Sequence, residues 1–170
     1  MIEQWVGTKT LKPERHWRSG PLIHVTFKVT ICYISRIILA PSDHFSCTIE
    51  GTDLHEEIFT WMDQYVLGEK GPSLPLDLSP FTSFTRKGLE AIASIPFGKV
   101  STYGELAKSM GSPQGARAVG NVGNRNPFPF VIPCHSVVGI DVSLTGFAYG
   151  LDMKKEMLRF EQETFLSISH

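Results

Sequence analysis

Residues 69–83 read EKGPSLPLDLSPFTS and carry three of the chain's eleven prolines within nine positions (Pro72, Pro75, Pro80). Proline has no backbone N–H and a fixed φ, so neither a helix interior nor a central strand can run through such a segment. The chain must therefore organise on either side of it. The expected division is a β-rich N-terminal domain over 1–70, a linker over 71–83, and a second domain over 84–170. At 170 residues, with 42% apolar and 19% charged residues, the chain has the composition of globular protein rather than of disordered chain.

The two halves differ in periodicity. LIHVTFKVTICYISRIILAP (22–41) is rich in β-branched residues and partly alternating, which predicts two strands with a hairpin near Cys32; SCTIE (46–50) is a candidate third. DLHEEIFTWMDQYVLG (53–68) has an acidic start and apolar residues at helical spacing, and Gly68 closes it. Beyond the linker the pattern turns helical. SFTRKGLEAIASIP (83–96) sets Phe84, Leu89 and Ile92 along one face and stops at Pro96. GKVSTYGELAKSMG (98–111) offers Ser101 or Thr102 as N-cap and ends at Gly111. SPQGARAVGNVGNRNP (112–127) offers Ser112 as cap with Pro113 at the first helical position, followed by small residues suited to close packing. Two short helices about a glycine turn form a candidate helix-turn-helix. PFPFVIP (127–133) reads as extended, GIDVSLTGFAYGL (139–151) as a loop, and DMKKEMLRFEQE (152–163) as a terminal helix.

Charge and cysteine content exclude several classes. Three cysteines without a CxxC pair form neither a disulfide framework nor a zinc ribbon, and fit a reducing compartment. Histidines 16, 24, 44 and 55 are too scattered for a metal site, and no phosphate-binding loop or dinucleotide fingerprint occurs. MIEQWVGTKTLKPERHW (1–17) is too polar for a signal peptide. The apolar run after it carries His24, Lys28 and Arg36, so it reads as strands and not as a membrane span. A cytoplasmic protein is expected. Net charge is −1, but between Phe81 and His135 six Lys/Arg face two acids, a footprint compatible with nucleic acid.

Three positions stand out chemically. Cys134 follows Pro133 and precedes His135, which could take its proton directly or through a water; a thiolate is the nucleophilic form. Adjacent side chains on an extended strand point apart, so the pair cooperates only if the backbone turns there. Asn124–Pro127 supply turn residues that could brace it. Glu161 falls on the apolar stripe of the terminal helix with Met153 and Met157, where an unpaired charge is costly; a histidine would serve as partner. Arg117 lies among alanines and glycines with no acid nearby, either solvated or held out towards DNA. Tyr103 opens the preceding helix.

Taken in order, IPFGKVSTYGELAKSMGSPQGARAVGNVGNRNPFPFVIPCHSVVG, SLTGFAYGL and LRFE resemble the O6-alkylguanine-DNA alkyltransferases, from about Phe84 to Glu161. The resemblance implies a small strand-and-helix N-terminal domain and a mostly helical C-terminal domain, an α+β chain overall, with the helix-turn-helix used in the minor groove. It implies Cys134 as alkyl acceptor, and a relay from Cys134 through a water and His135 to Glu161. Asn126 is implied as the turn residue joining the recognition helix to the active-site strand. Arg117 would replace the extruded base in the stack; Tyr103 would crowd the phosphate and assist the leaving guanine. Thr85, Gly104 and Ser112 match positions that meet the DNA backbone. Val138, Phe147, Ala148 and Tyr149 match the substrate pocket. The implied reaction takes an alkyl group from O6-alkylguanine, and O4-alkylthymine, in double-stranded DNA; it needs no cofactor or metal and uses a monomer. Three positions depart from the family pattern: Ser136 stands where Arg is usual after PCH, Val142 where a glycine is usual, and Tyr149 where smaller residues are common. An alkyltransferase-like damage-binding module, which usually has Trp in place of the acceptor cysteine, and a plain helix-turn-helix regulator are the alternative readings of these residues.

Overall fold

The computed structural model describes residues 12–144 and 146–170. Residues 1–11, most of the stretch judged too polar for a signal peptide, and Thr145 in the expected pocket loop lie outside the described residues.

The N-terminal half forms a four-stranded sheet. Its strands are β1 (Glu14–Trp17), β2 (Ile23–Thr30), β3 (Tyr33–Pro41) and β4 (Phe45–Glu50), in spatial order β1-β4-β2-β3. The β2–β3 hairpin turns at Cys32, which takes a left-handed φ of 64°. β4 pairs parallel to β2 and antiparallel to β1. Alternation along β2 places Ile23, Val25, Phe27 and Val29 on the buried face. Helix α1 (His55–Val66) contributes Ile58, Met62 and Tyr65 to the same core. Gly68 follows it at φ 71°, its N–H donating to the Tyr65 carbonyl. β1 was not foreseen: four residues, three of them exposed, leave no alternation to read.

After the linker, α2 (Ser83–Ala93) starts from Thr82, whose hydroxyl accepts the Thr85 N–H. Its buried positions are Gly88, Leu89 and Ile92; Phe84, expected on that face, is exposed. The contact is made instead at Gly88, where α4 comes so close that a Cβ would lie 3.0 Å from Val122. β5 (Ser101–Thr102) leads into α3 (Tyr103–Ser109) through a capping box, Thr102 Oγ1 taking the Glu105 N–H and the Glu105 carboxylate taking the Thr102 N–H. Gly111, at φ 73°, makes the turn to α4 (Ala116–Asn124). Here the expected cap is corrected. Ser112 and Pro113 do not open the helix; Gly115 occupies the N-cap, because its N–H is spent on the Ser112 carbonyl in a tight turn.

The apolar segment around position 134 is not a plain strand. Cys134–Ser136 forms one 3₁₀ turn, and only then does β6 (Val137–Val138) begin, parallel to β5. The terminal helix α5 runs from Leu151 to Ile168. Core side chains from the sheet, α1, α2, α4 and α5 form one connected apolar cluster. Among the described residues no helix is long and apolar enough to cross a membrane, and no group of His, Cys, Asp and Glu could hold a metal ion.

Candidate active site

The 3₁₀ turn answers the difficulty posed by adjacent Cys and His. It lets both side chains lie buried, Cys134 at 7% exposure and His135 at 0%. Cys134 is fixed from two sides. Its N–H donates to the Ile132 carbonyl, and its Sγ accepts from Asn126 Nδ2 at 3.3 Å. Asn126 also donates to the Ile132 carbonyl at 2.9 Å and accepts the Phe128 N–H at 2.8 Å. One amide therefore clamps the 126–134 loop at the end of α4. α4 packs against the thiol residue, where a Cβ added at Gly123 would lie 4.0 Å from the Cys134 Cβ.

His135 Nε2 is 2.6 Å from Glu161 Oε1, both groups buried. Glu161 thus has the histidine partner that its place on the apolar stripe demanded. The same oxygen accepts a hydrogen bond from the Tyr65 hydroxyl at 2.8 Å. His135 Nδ1 is buried and has no hydrogen-bond partner among the described residues. Burial pushes the Cys134 thiol above its ordinary range, while the Asn126 amide and the Lys154 charge pull it back.

Lys154 was missed in the sequence, where it passes for one charge among many on α5. It is fully buried, its Nζ donates to the Val137 carbonyl at 2.5 Å, and burial lowers its pKa while Cys134 raises it. The available signal was its position directly after Met153 on the apolar stripe. Tyr65 was missed too, as an ordinary core position of α1.

The remaining sequence-derived candidates are more spread out. Tyr103, half-buried at the start of α3, sends its hydroxyl towards the Gly146 carbonyl at 3.4 Å and packs over Gly120 of α4. Arg117 is exposed on the first turn of α4. Gly104 lies beside Tyr103, Ser112 in the α3–α4 turn, and Thr85 in the first turn of α2, where it joins the Thr82 cap. Phe147 and Tyr149 have ring centroids 5.9 Å apart, and Ala148 between them is exposed. Val138 is buried and faces a hollow of about 270 Å³ with Val100, Val142, Leu144 and Leu158. Val142 holds φ at 60°, a conformation costly for a β-branched residue, in the place where the resemblance has glycine. Ser136 is fully buried, with no partner for its hydroxyl among the described residues. It borders a cleft of about 850 Å³ shared with Tyr65, Glu161 and the linker.

The three thiols should differ in reactivity. Burial pushes Cys47 up to about 12, whereas Cys32 is exposed at the hairpin turn. Iodoacetamide at mildly alkaline pH is expected to label Cys32 first and to leave Cys47 unmodified in the folded protein, as read by peptide mass.

The sheet, the short helices α3 and α4 and the buried Cys134, His135 and Glu161 define a thiol protein whose cysteine is set against α4. Residues 83–163 match the family model of the 6-O-methylguanine DNA methyltransferase DNA-binding domain. The methylated-DNA–protein-cysteine methyltransferase of Methanosarcina acetivorans is 40% identical over 114 residues, covering 66% of this chain and 72% of that protein. The same-named protein of Mycobacterium leprae is 37% identical over 112 residues, covering 65% and 67%. The crystal structure of Mycobacterium tuberculosis OGT in complex with DNA superposes with a TM-score of 0.67 at 26% identity, over 83% of this chain and 94% of that one. The O6-methylguanine-DNA methyltransferase of Pyrococcus kodakaraensis shares the fold, with a TM-score of 0.62 at 24% identity over 87% and 97%. The chain belongs to the methylated-DNA–protein-cysteine methyltransferases.

Proposed function

We infer that this protein repairs DNA by taking an alkyl group, methyl in the simplest case, from guanine O6 onto Cys134, in one turnover that consumes the protein. The observation that carries this reading is Cys134 buried against α4 and clamped by Asn126, beside the paired His135 and Glu161. A thiol raised by burial needs a base. With Glu161 ionised, His135 Nε2–H donates to it, and Nδ1 presents the lone pair that takes the thiol proton, directly or through one water. The thiolate attacks the alkyl carbon; the S–C bond forms as the C–O6 bond breaks, and the electron pair leaves with guanine, which is then protonated. Proton donation near the base by the Tyr103 hydroxyl makes guanine a better leaving group. Lys154 adds a positive charge that favours the thiolate. The product is a thioether that water does not cleave, so the acceptor is not regenerated.

An O6-alkyl group lies inside the duplex, so the base must be flipped out at a cost of ~2–3 kcal/mol. Arg117, exposed on α4, is the residue proposed to enter the gap, and the small residues Gly115, Ala116 and Ala118 beside it suit a close backbone approach to a minor groove. Thr85, Gly104 and Ser112 are the proposed backbone contacts. Val138, Phe147, Ala148 and Tyr149 are the proposed pocket residues for the flipped base. Tyr149 narrows the pocket against bulky adducts; O4-alkylthymine is the second proposed substrate. The proposed unit is a monomer in a reducing compartment such as the cytoplasm, which suits three free thiols. The division at 71–83 is proposed on the proline content of that segment.

The test is stoichiometry. Duplex DNA bearing O6-methylguanine should return to guanine at one lesion per protein molecule and then stop. Lesion binding without conversion would point to the alkyltransferase-like reading, and continued turnover would contradict an acceptor cysteine.

A further inference from the structure

We propose that Tyr65, in the N-terminal half, is a positioning residue for transfer: its hydroxyl holds the Glu161 carboxylate against His135, so the N-terminal half sets the pace of chemistry at Cys134. The proposal rests on the alkyl-transfer reading of Cys134 and adds a role for the half of the chain that carries none of the chemistry.

Tyr65 lies on α1, 96 positions before Glu161, yet donates to Glu161 Oε1 at 2.8 Å. That oxygen also faces His135 Nε2 at 2.6 Å, so one atom joins the phenol to the imidazole. Both residues are nearly inaccessible, Tyr65 at 5% and Glu161 at 3%. A buried carboxylate is costly unless donors surround it. Tyr65 and His135 are the hydrogen-bond donors to it among the described residues. Glu161 also borders the cleft of about 850 Å³ beneath the linker. A carboxylate released by the phenol could turn towards that space and leave His135 unpaired.

The phenol itself is held rigidly. Its ring stacks on Trp61 at 5.6 Å and 13°, lies 5.7 Å from Phe160, and meets Phe130 and Phe97 edge-on at 4.4 and 5.4 Å. Burial first, then the charge of Glu161, pushes the phenol far above its ordinary range, so it remains a donor wherever repair takes place. The other titratable groups around the pair are His135 from the 3₁₀ turn, Cys134 and Lys154 beyond it, and Glu156 from α5, which acts on Tyr65. Loss of the hydroxyl leaves His135 as the one hydrogen-bond donor to Glu161 among the described residues, and the carboxylate is then less firmly held against the imidazole.

The experiment uses the full chain and single-turnover methyl transfer from an O6-methylguanine duplex, measured across pH for wild type, Tyr65→Phe, Glu161→Gln and the double variant. Tyr65→Phe keeps the ring and removes one hydroxyl. Its rate is expected to fall about tenfold at neutral pH, the scale of one hydrogen bond to a charged group. Lesion-DNA affinity should stay at the wild-type value. The double variant should be no slower than Glu161→Gln alone, because both changes act through one interaction. A wild-type rate at every pH would overturn the proposal. So would a loss that multiplies with that of Glu161→Gln, the signature of a purely structural role. Failure of the wild-type protein to transfer methyl would overturn the alkyl-transfer reading and this proposal together, a result distinct from active wild type with an unaffected Tyr65→Phe.

Discussion

Cys134→Ala should reduce methyl transfer to background while leaving the fold and lesion binding in place. The substitution removes one sulfur from a site 7% exposed. Asn126 loses the Sγ contact but keeps the Ile132 carbonyl and the Phe128 N–H, so the loop clamp survives. The loss in stability should be about 1 kcal/mol, one neutral hydrogen bond and a small void. No other thiol can replace it: Cys32 sits at the β2–β3 hairpin turn and Cys47 is buried in β4. The comparison to make is transfer rate against lesion-duplex affinity and the thermal midpoint. Transfer that persists in the variant would put the acceptor elsewhere.

Arg117→Ala should slow repair in duplex DNA far more than repair of the free base or of single strands. Arg117 is exposed on the first turn of α4, and Tyr103 packs over Gly120 of the same helix. If the guanidinium offsets ~2 kcal/mol of the flipping cost, its loss lowers the flipped population about thirtyfold. Free O6-methylguanine needs no flipping and should react at the wild-type rate. Parallel kinetics on the three substrates check this. Equal losses on all three would assign Arg117 to general binding rather than to flipping.

How much could be read from the chain depended on whether a feature was local. The β2–β3 hairpin was legible because alternation fixes the buried face of each strand, and the terminal helix because its apolar stripe runs over three turns. The demand of Glu161 for a partner followed from one acid on that stripe, and the fold supplies His135. Other features were not written locally. β5 and β6 are two residues each and exist only as a pair. The 3₁₀ turn at Cys134 overrides an apolar run that favours a strand, and it lets a thiol and an imidazole share a buried site. The cap at Gly115 replaced the more obvious Ser112, because the turn from Gly111 uses the Ser112 carbonyl. Phe84 is exposed, and α2 meets α4 at Gly88 instead, where a Cβ would lie 3.0 Å from Val122. Tyr65 and Lys154 acquire their significance from partners 96 and 17 positions away, which no periodicity encodes. The residues of the transfer chemistry were therefore visible as types, while the groups that support them emerged only from the fold.

The central claim is that Cys134 itself receives the alkyl group. Its most direct test is the mass of the protein after incubation with duplex DNA containing O6-methylguanine, followed by peptide mapping. The account requires a single methyl adduct, confined to the peptide containing Cys134, in an amount equal to the lesions removed. Lesions removed with no change in protein mass, or a methyl group on any other residue, would contradict it.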